Sequence, residues 1–545
     1  MATIEGSTTN VYDQVPYPSM SFGYTHPDHL ATIGWLLGME PADVERCRVL
    51  ELGCASGGNL IPMAYMLPGS EFLGIDFSQR EIAEGQAELE ELALPNVVLR
   101  HADILDVTPE WGRFDYIIAH GIYSWVPPEV QRKILAICRA NLAPQGIAYV
   151  SYNTLPGWHM LRVVRDLMLY ASEGIDDPYE KATTAAAVVD FYANATSEEG
   201  AYGSFLRSYN KTVQIKLDST NGSQYASVLH DELEDINDPL YFRDFVARAA
   251  GQGLQYMCDT DFSISTGTRI SDDVSHKLEE ITHGDRVALE QYADFLACRT
   301  FRRSLLCHRE VQINERLKPA AIRRLRAASD ARPVSEQPDL YGRSTEKFET
   351  PDDKAAVSTN HPVSKLAMTL LAAAYPSSIA FADLLAEARA RLAAHLAEQG
   401  GVEGPEAEDV DSEALAANLL SSFGYSRNLM ELHVWAPGLV RSLGERPEAS
   451  QVARCEARRG TWVTNVRHER VRLEPLDAYL LTLLDGRHDR PALLEAVIAG
   501  PVAEGRLVAR RDGQPVDDPA DARQVLARSI DDRLTWLARA CLLVG

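Results

Sequence analysis

Residues Val49 to Asp76 read VLELGCASGGNLIPMAYMLPGSEFLGID. A short apolar run of Val49, Leu50 and Leu52 carries Glu51 and ends in a glycine-rich turn, Gly53-Cys54-Ala55-Ser56-Gly57-Gly58. A helical stretch follows to Leu67 and stops at Pro68-Gly69, and a second apolar run ends on Asp76. Strand, glycine turn, helix, strand and terminal carboxylate make a βαβ unit shaped for a nucleoside. Glycines admit backbone close to a ligand, and the start of a helix offers free N–H groups. An acid at the tip of the second strand suits the two hydroxyls of a ribose.

A dinucleotide site wants G-x-G-x-x-G with its middle glycine under the pyrophosphate; here Cys54 and Ala55 interrupt that pattern. The form E-x-G-x-x-x-G with a strand-two acid resembles motif I of class I S-adenosylmethionine (SAM) methyltransferases. That resemblance implies SAM as cofactor and S-adenosylhomocysteine as product. It places Glu51, Gly53, Ala55, Gly57, Asn59, Asp76, Phe77, Asp103, Ile104 and His120 around the cofactor, with Tyr12 and Tyr17 reaching it from the N-terminal segment.

At 545 residues the chain is too long for one core, and three or four domains are expected. Apolar content of 46% and charged content of 24% describe an ordinary globular protein. The net charge of −25 argues against a nucleic-acid partner and leans toward a basic acceptor. The eight cysteines lack any C-x-x-C pair or His/Cys metal spacing, so neither a disulfide framework nor a metal site is expected. No secretory signal or span-length apolar run is visible, and a cytoplasmic location is the expectation.

Residues 10–36 hold Tyr12, Pro16, Tyr17, Pro18, Phe22, Tyr24, His26 and Pro27, a stiff segment that cannot form one long helix. It either packs across the sheet or lids the cofactor. Ser78 and Glu81 form a capping box opening a helix to about Leu92. VVLRHADI gives a third strand ending near Asp103, whose carboxylate either meets an adenine amine or caps a turn. FDYIIAHG is a fourth strand; Pro144–Gly146 turns the chain into a fifth, IAYVSY, ending at Asn153-Thr154. These elements predict an open, doubly wound parallel sheet with Gly53, Asp76, Asp103, His120 and Asn153 at the strand ends, where ligands of such sheets lie.

The expected fold is thus α/β, a Rossmann-like class I methyltransferase sheet with a helical insertion and largely helical or winged-helix C-terminal domains. The divisions expected are 1–158 for the cofactor domain and its N-terminal lid, and 159–222 for a helical insertion, a possible homodimer contact. Residues 223–326 form the rest of the sheet with a regulatory part, and 327–362 a linker. Residues 363–450 form a helical middle domain and 451–545 a C-terminal module. Within these, 284–312 reads as one helix whose Arg299, Arg302 and Arg303 form a solvated or salt-bridged face, and 400–413 reads as an acidic loop.

The blocks YDQVPYPSMSF, LELGCASGGNLIPMA, FDYIIAHGIYSWVP, HDELEDINDPLYFRDF, QYADFLACRTFRRSLL, NVRHERVRL and LLDGRHDR span nearly the whole chain. In this order they resemble the bacterial methyltransferases with a methyltransferase regulatory domain, a family that includes rickettsial protein-lysine methyltransferases. That resemblance implies a SAM-binding sheet, a dimerisation insertion, a middle domain and a C-terminal module. His120, Tyr123 and Trp125 after strand four and Asn153 after strand five are the candidate acceptor-site residues. Tyr123 and Trp125 would flank an amine, and His120 would accept a proton or hold a tyrosine. Equally, Trp125 suits a hydrophobic plug and His120 a backbone cap. The activity expected is N-methylation of lysine in a protein or peptide. The alternatives are small-molecule methylation and a SAM-binding regulator without catalysis.

Overall fold

The apolar runs around the glycine turn become the central strands, buried on both faces as parallel strands are. The computed structural model of the chain describes residues 11–219, 225–266, 271–314, 317–352, 354–400, 407–440, 442–511, 514–516 and 518–545. Helices α1 (Val11–Gln14) and α2 (Pro27–Leu36) precede strand β1 (Arg48–Leu52). Then come α3 (Leu60–Met66), β2 (Glu71–Asp76), α4 (Gln79–Leu92), β3 (Val97–His101), β4 (Phe114–Ala119), α5 (Pro128–Asn141) and β5 (Leu142–Leu155). Ser78 caps α4 by accepting the Glu81 N–H, and Pro128 takes the first position of α5, where its missing donor costs nothing.

Strand β5 begins earlier than the expected Ile147. Its register against β4 jumps from Phe114–Leu142 to Tyr116–Ile147, so Pro144–Gly146 is looped out of the ladder rather than turning the chain into it.

The insertion is helical as expected: α6 (Gly157–Ala171), α7 (Pro178–Ala195) and α8 (Ala201–Ser219), onto which α9 (Ala226–Glu232) packs. It has a core of its own, including Val164, Met168, Val189, Leu206 and Val213. The sheet then resumes with β6 (Leu240–Tyr241), α10 (Phe242–Gly251), β7 (Leu254–Asp259), α11 (Phe262–Thr266), α12 (Asp272–Thr282), α13 (Arg286–Ala297) and β8 (Phe301–His308). The strand order is β3-β2-β1-β4-β5-β8-β7, with β6 against β5. Strand β8 runs antiparallel to both β5 and β7, so the sheet is mixed rather than wholly parallel.

That strand corrects the reading of 284–312 as one helix. Helix α13 stops at Ala297, where Cys298 adopts a left-handed φ of 45°, and the chain re-enters the sheet. Arg302 is buried: its guanidinium bonds Asp294 and Glu290 of α13 and lies 3.8 Å from the Phe242 ring centre. Arg299 and Arg302 are ion-paired rather than solvated, while Arg303 lies 4.3 Å from the Tyr24 ring centre.

Residues 327–362 are structured, not a linker. Strands β9 (Arg326–Ala328), β10 (Arg332–Pro333), β11 (Glu346–Glu349) and β12 (Ala356–Thr359) form here, the last three as one antiparallel sheet. The polar loop between β10 and β11 is held from below by the buried Lys365, whose Nζ donates to the Gly342 and Ser344 carbonyls at 2.9 and 3.0 Å. Helices α14 (Pro362–Ala374) and α15 (Phe381–Glu398) flank Pro376 as expected. Strand β13 (Ile379–Ala380) between them and β14 (Glu431–His433) pair on either side of β9. Between α15 and β14, α16 (Ala407–Tyr425) begins inside the acidic run read as a loop; 401–406 lie outside the described residues.

The C-terminal module holds α17 (Gln451–Ala457), β15 (Trp462–Thr464), β16 (Arg470–Arg472), α18 (Pro475–Leu483), α19 (Arg490–Val497) and α20 (Pro519–Arg539). Its core includes Leu480, Leu484, Leu493, Ile530 and Leu534. It leans on α4 through the ion pairs Arg458–Glu91 and Arg459–Glu88. Among the described residues no helix is long and apolar enough to cross a membrane.

Candidate active site

The glycine turn is held open from β2. Gly53 has φ +71°, and a Cβ there would come 2.6 Å from Ile122, which follows β4. Ala55, also left-handed at φ 47°, gives its N–H to Asp76 Oδ2 at 2.8 Å, while Asp76 Oδ1 accepts from Ser78. Asp76 therefore pins the turn in addition to presenting a carboxylate at the strand tip; burial raises its pKa. Gly57, at φ +83°, packs against Leu99 and Ile61.

Glu51 and Asn59 form the buried floor. Asn59 donates to Glu51 Oε1 at 2.8 Å, whereas Glu51 Oε2 is buried with no hydrogen-bond partner among the described residues. Burial pushes the Glu51 carboxyl up to about 8; Asn59 opposes this and Asp76 adds to it. An orphaned carboxyl oxygen beside a glycine turn, once ionised, fits the ammonium group at the amino-acid end of SAM. At the adjacent tips of β2 and β3, Phe77 is 63% exposed and Ile104 half-buried. Asp103 caps the turn Ile104–Asp106 by accepting the Leu105 N–H at 2.8 Å, with its second oxygen outside that bond.

The N-terminal segment lies across this turn. Asp13 bonds Ser78, Val15 O meets His230, and the Tyr17 N–H and hydroxyl reach Glu81 and Asp231. Ser19 Oγ accepts the Gly58 N–H at 2.7 Å, and the Phe22 N–H reaches Asn59 Oδ1 at 3.0 Å. The HDELED block thus serves as an anchor for this segment. Tyr12 sits on α1, and its side chain lies outside the described residues.

Of the four acceptor-site candidates, the structure brings His120 to the aromatic part of that segment. Its ring centre is 4.0 Å from that of Phe22 and 5.9 Å from that of Tyr24, and Phe301 stands edge-on at 6.2 Å. Nδ1 bonds the Tyr149 hydroxyl at 2.8 Å. Burial, then the Arg303 charge, lowers the imidazole to about 3, so His120 is a poor proton acceptor and acts as a neutral wall holding Tyr149. Tyr123 is corrected: it is 1% exposed and packs on Tyr152 and Phe245, in the core on the opposite sheet face from Tyr149. Asn153 is a buried tie, its N–H on Ser124 and its amide on Asn237. Trp125 is half-buried and edge-on to Trp158.

Sequence reading missed His468. It lies in the turn between β15 and β16, 2% exposed, and its Nε2 is 2.9 Å from Asn59 Oδ1. Its block, NVRHERVRL, stood out in the chain, but nothing in it indicates a partner some 400 residues away. Among the described residues no cluster of His, Cys, Asp or Glu is placed to hold a metal ion.

Two cavities open along the seam beside the N-terminal segment. One of about 260 Å³ is bordered by His26, Asp28, His433, Trp435 and Arg467, and one of about 180 Å³ by Tyr24, Asp261, Phe262, Arg303 and Phe423. His29 and Arg427 border both.

Family models match three parts of the chain: "Methyltransferase domain" over 49–146, "Predicted methyltransferase regulatory domain" over 224–308, and "PKMT, C-terminal winged helix domain" over 445–542. An uncharacterized protein of Rickettsia prowazekii is 32% identical over 547 aligned residues, covering 98% of this chain and 94% of that one. The solved structure of PKMT2 from Rickettsia typhi in complex with AdoHcy superposes with a TM-score of 0.83 at 30% identity, covering 97% of this chain and 100% of that one. The chain belongs to the PKMT family. A second uncharacterized R. prowazekii protein is 39% identical over 239 residues, 44% of this chain and 93% of that one. This PKMT-family chain is a SAM-dependent methyltransferase with a Rossmann-like sheet, a regulatory segment and a C-terminal winged-helix domain. The part matched as regulatory supplies β6, β7 and β8, so it completes the sheet itself.

Proposed function

We propose that this enzyme N-methylates lysine side chains of a protein or peptide. The observation that carries the reading is the near-complete overlay on PKMT2, joined to the aromatic wall of Phe22, Tyr24, His120 and Phe301 at the β4 tip. SAM, when bound, supplies a methyl group on a sulfonium. The protein's task is to position an unprotonated amine and exclude water. A free lysine, with pKa about 10.4, is almost wholly charged at neutral pH, and an apolar wall favours loss of its proton by desolvation. Neutral His120 adds no repulsion, and aromatic faces orient the cation before it deprotonates.

The insertion is the proposed homodimer contact. Tyr170, Phe191 and Ile215 on its helices are 80%, 65% and 66% exposed, a large apolar display for an isolated surface. Light scattering of the purified chain checks it, and a monomer at micromolar concentration would refute it. A cytoplasmic site of action agrees with eight cysteines that are all free.

The deciding experiment transfers tritiated methyl groups from SAM into host-cell lysate, analysed by gel and by organic extraction. Discrete protein bands releasing methyl-lysine on hydrolysis are expected. Label confined to the organic extract would instead make this a small-molecule enzyme, and SAM binding without any transfer would favour a regulator.

A further inference from the structure

Three segments distant in sequence meet on one side-chain amide. Asn59 Nδ2 donates to Glu51 Oε1 at 2.8 Å and to Thr25 Oγ1 at 3.0 Å. With Nδ2 so committed, Oδ1 is the acceptor for the Phe22 N–H at 3.0 Å and for His468 Nε2 at 2.9 Å. His468 must therefore carry its proton on Nε2, and its Nδ1 is left buried without a hydrogen-bond partner among the described residues. Flipping the amide would set an NH₂ against the Phe22 N–H, so Phe22 dictates which way Asn59 faces and His468 donates to the oxygen so presented. The turn that delivers His468 is itself built: Asn465 Oδ1 accepts the N–H groups of Arg467 and Glu469, and His468 adopts φ +62°. Thr464 on Ser21 and Arg470 beside Met20 clasp the N-terminal segment from the same hairpin.

We propose that His468 of the winged-helix domain is a positioning residue for the cofactor: it fixes Asn59, which holds Glu51 with its free oxygen toward the ammonium of SAM. The inference rests on the assignment of Glu51 to that ammonium. By linkage, cofactor binding and docking of the C-terminal module reinforce one another. The module therefore belongs to the cofactor site of the intact chain.

The test compares two ligands by calorimetry on the full chain: S-adenosylhomocysteine, and 5′-methylthioadenosine, which keeps the nucleoside and thioether but lacks the amino-acid end. His468→Asn tolerates the left-handed turn but is too short to reach Asn59, whereas His468→Gln restores a donor at the Nε2 position. Asn is expected to weaken S-adenosylhomocysteine about tenfold, the scale of one buried hydrogen bond, and to spare methylthioadenosine; Gln should recover the affinity. Equal weakening of both ligands, or none, overturns the proposal. Glu51→Gln separates the premises: if it leaves S-adenosylhomocysteine binding intact, the ammonium assignment falls. If it weakens binding while His468→Asn does not, the positioning role alone falls. In the unmodified protein, S-adenosylhomocysteine should slow hydrogen exchange across 462–472 and methylthioadenosine should not; equal protection by both, or by neither, overturns the coupling.

Discussion

Glu51 shows how one residue links burial to ligand binding. Its carboxyl is held near 8, chiefly by burial, so in the ligand-free protein it is largely protonated at neutral pH. An ammonium requires the carboxylate, so binding expels a proton. Affinity for S-adenosylhomocysteine should climb from pH 6 toward pH 8, by at most about tenfold per unit, and fall again where the ligand's own ammonium loses its proton. Calorimetry at pH 7 in buffers of different ionisation enthalpy should register that proton, and buffer-independent heats would detach Glu51 from the ammonium. The sign for stability is opposite. The folded pKa lies above the unfolded carboxyl value, so the ligand-free chain loses stability as pH rises from the carboxylate range through about 8. Glu51→Gln should remove that loss. Tyr123 carries the complementary expectation. Packed on Tyr152 and Phe245, it should tolerate Phe with SAM affinity and turnover within about twofold, since no buried partner is stranded beyond the nearby Arg248. A tenfold loss of turnover in steady-state assays would return it to the acceptor site.

Among the elements, β1 to β5 were legible because each is an apolar run ending on a polar tip, and the glycine turn fixes the first crossover. The same logic singled out Glu51, Asp76 and His120, which the structure sets at or beside the ends of β1, β2 and β4. It failed at β8, where FRRSLLCH follows directly on a helix and its arginines mimic a polar helix face. What makes Arg302 acceptable inside the sheet is compensation by Glu290 and Asp294, and pairing across a chain reversal leaves no local periodicity to read. Tyr123 misled for a related reason: adjacency to His120 in sequence says nothing about which sheet face a turn residue enters. The ion triad makes a testable element. Arg302→Ala removes the buried cation shared by both carboxylates, leaving Asp294 only Arg299 and Glu290 only Arg286 and the Tyr256 hydroxyl, and should cost about 3 kcal/mol in denaturant unfolding. A cost below about 1 kcal/mol would mean that water enters and screens the site.

For the whole molecule, the joint between the first helix pair and the middle domain is a charged relay. His433 on β14 bonds Asp28 of α2 at 2.7 Å and Glu431 at 3.2 Å, while Arg467 of the C-terminal module closes on Glu431. Burial alone would lower the His433 pKa, but Asp28 and Glu431 outweigh it and hold the ring near 9. Since that lies above the unfolded value of about 6.5, the contribution is complete below pH 6.5 and is lost as pH rises through about 9. Around the relay stand Arg427, Arg467 and His26, the last lowered to about 4 by burial and so neutral across the range tested. Melting temperature measured by scanning fluorimetry should fall between pH 7 and pH 10, and His433→Gln should flatten that fall; an unchanged slope would place the alkaline sensitivity elsewhere. His468 was illegible at this scale, because its meaning exists only once the C-terminal hairpin has docked on the glycine turn.

The position of β8 also bears on how the chain is born. Strand β5 leaves the ribosome with one edge open, and its proper neighbour is Phe301–His308, which follows the whole insertion and regulatory segment. At translation rates of about 5–20 residues per second, that edge waits on the order of ten seconds, unpaired and prone to foreign strands. The insertion helices, with their separate core, can fold in the interval. Nascent chains arrested before Phe301 should be cut readily within β5 by protease, and chains extended well past His308 should resist.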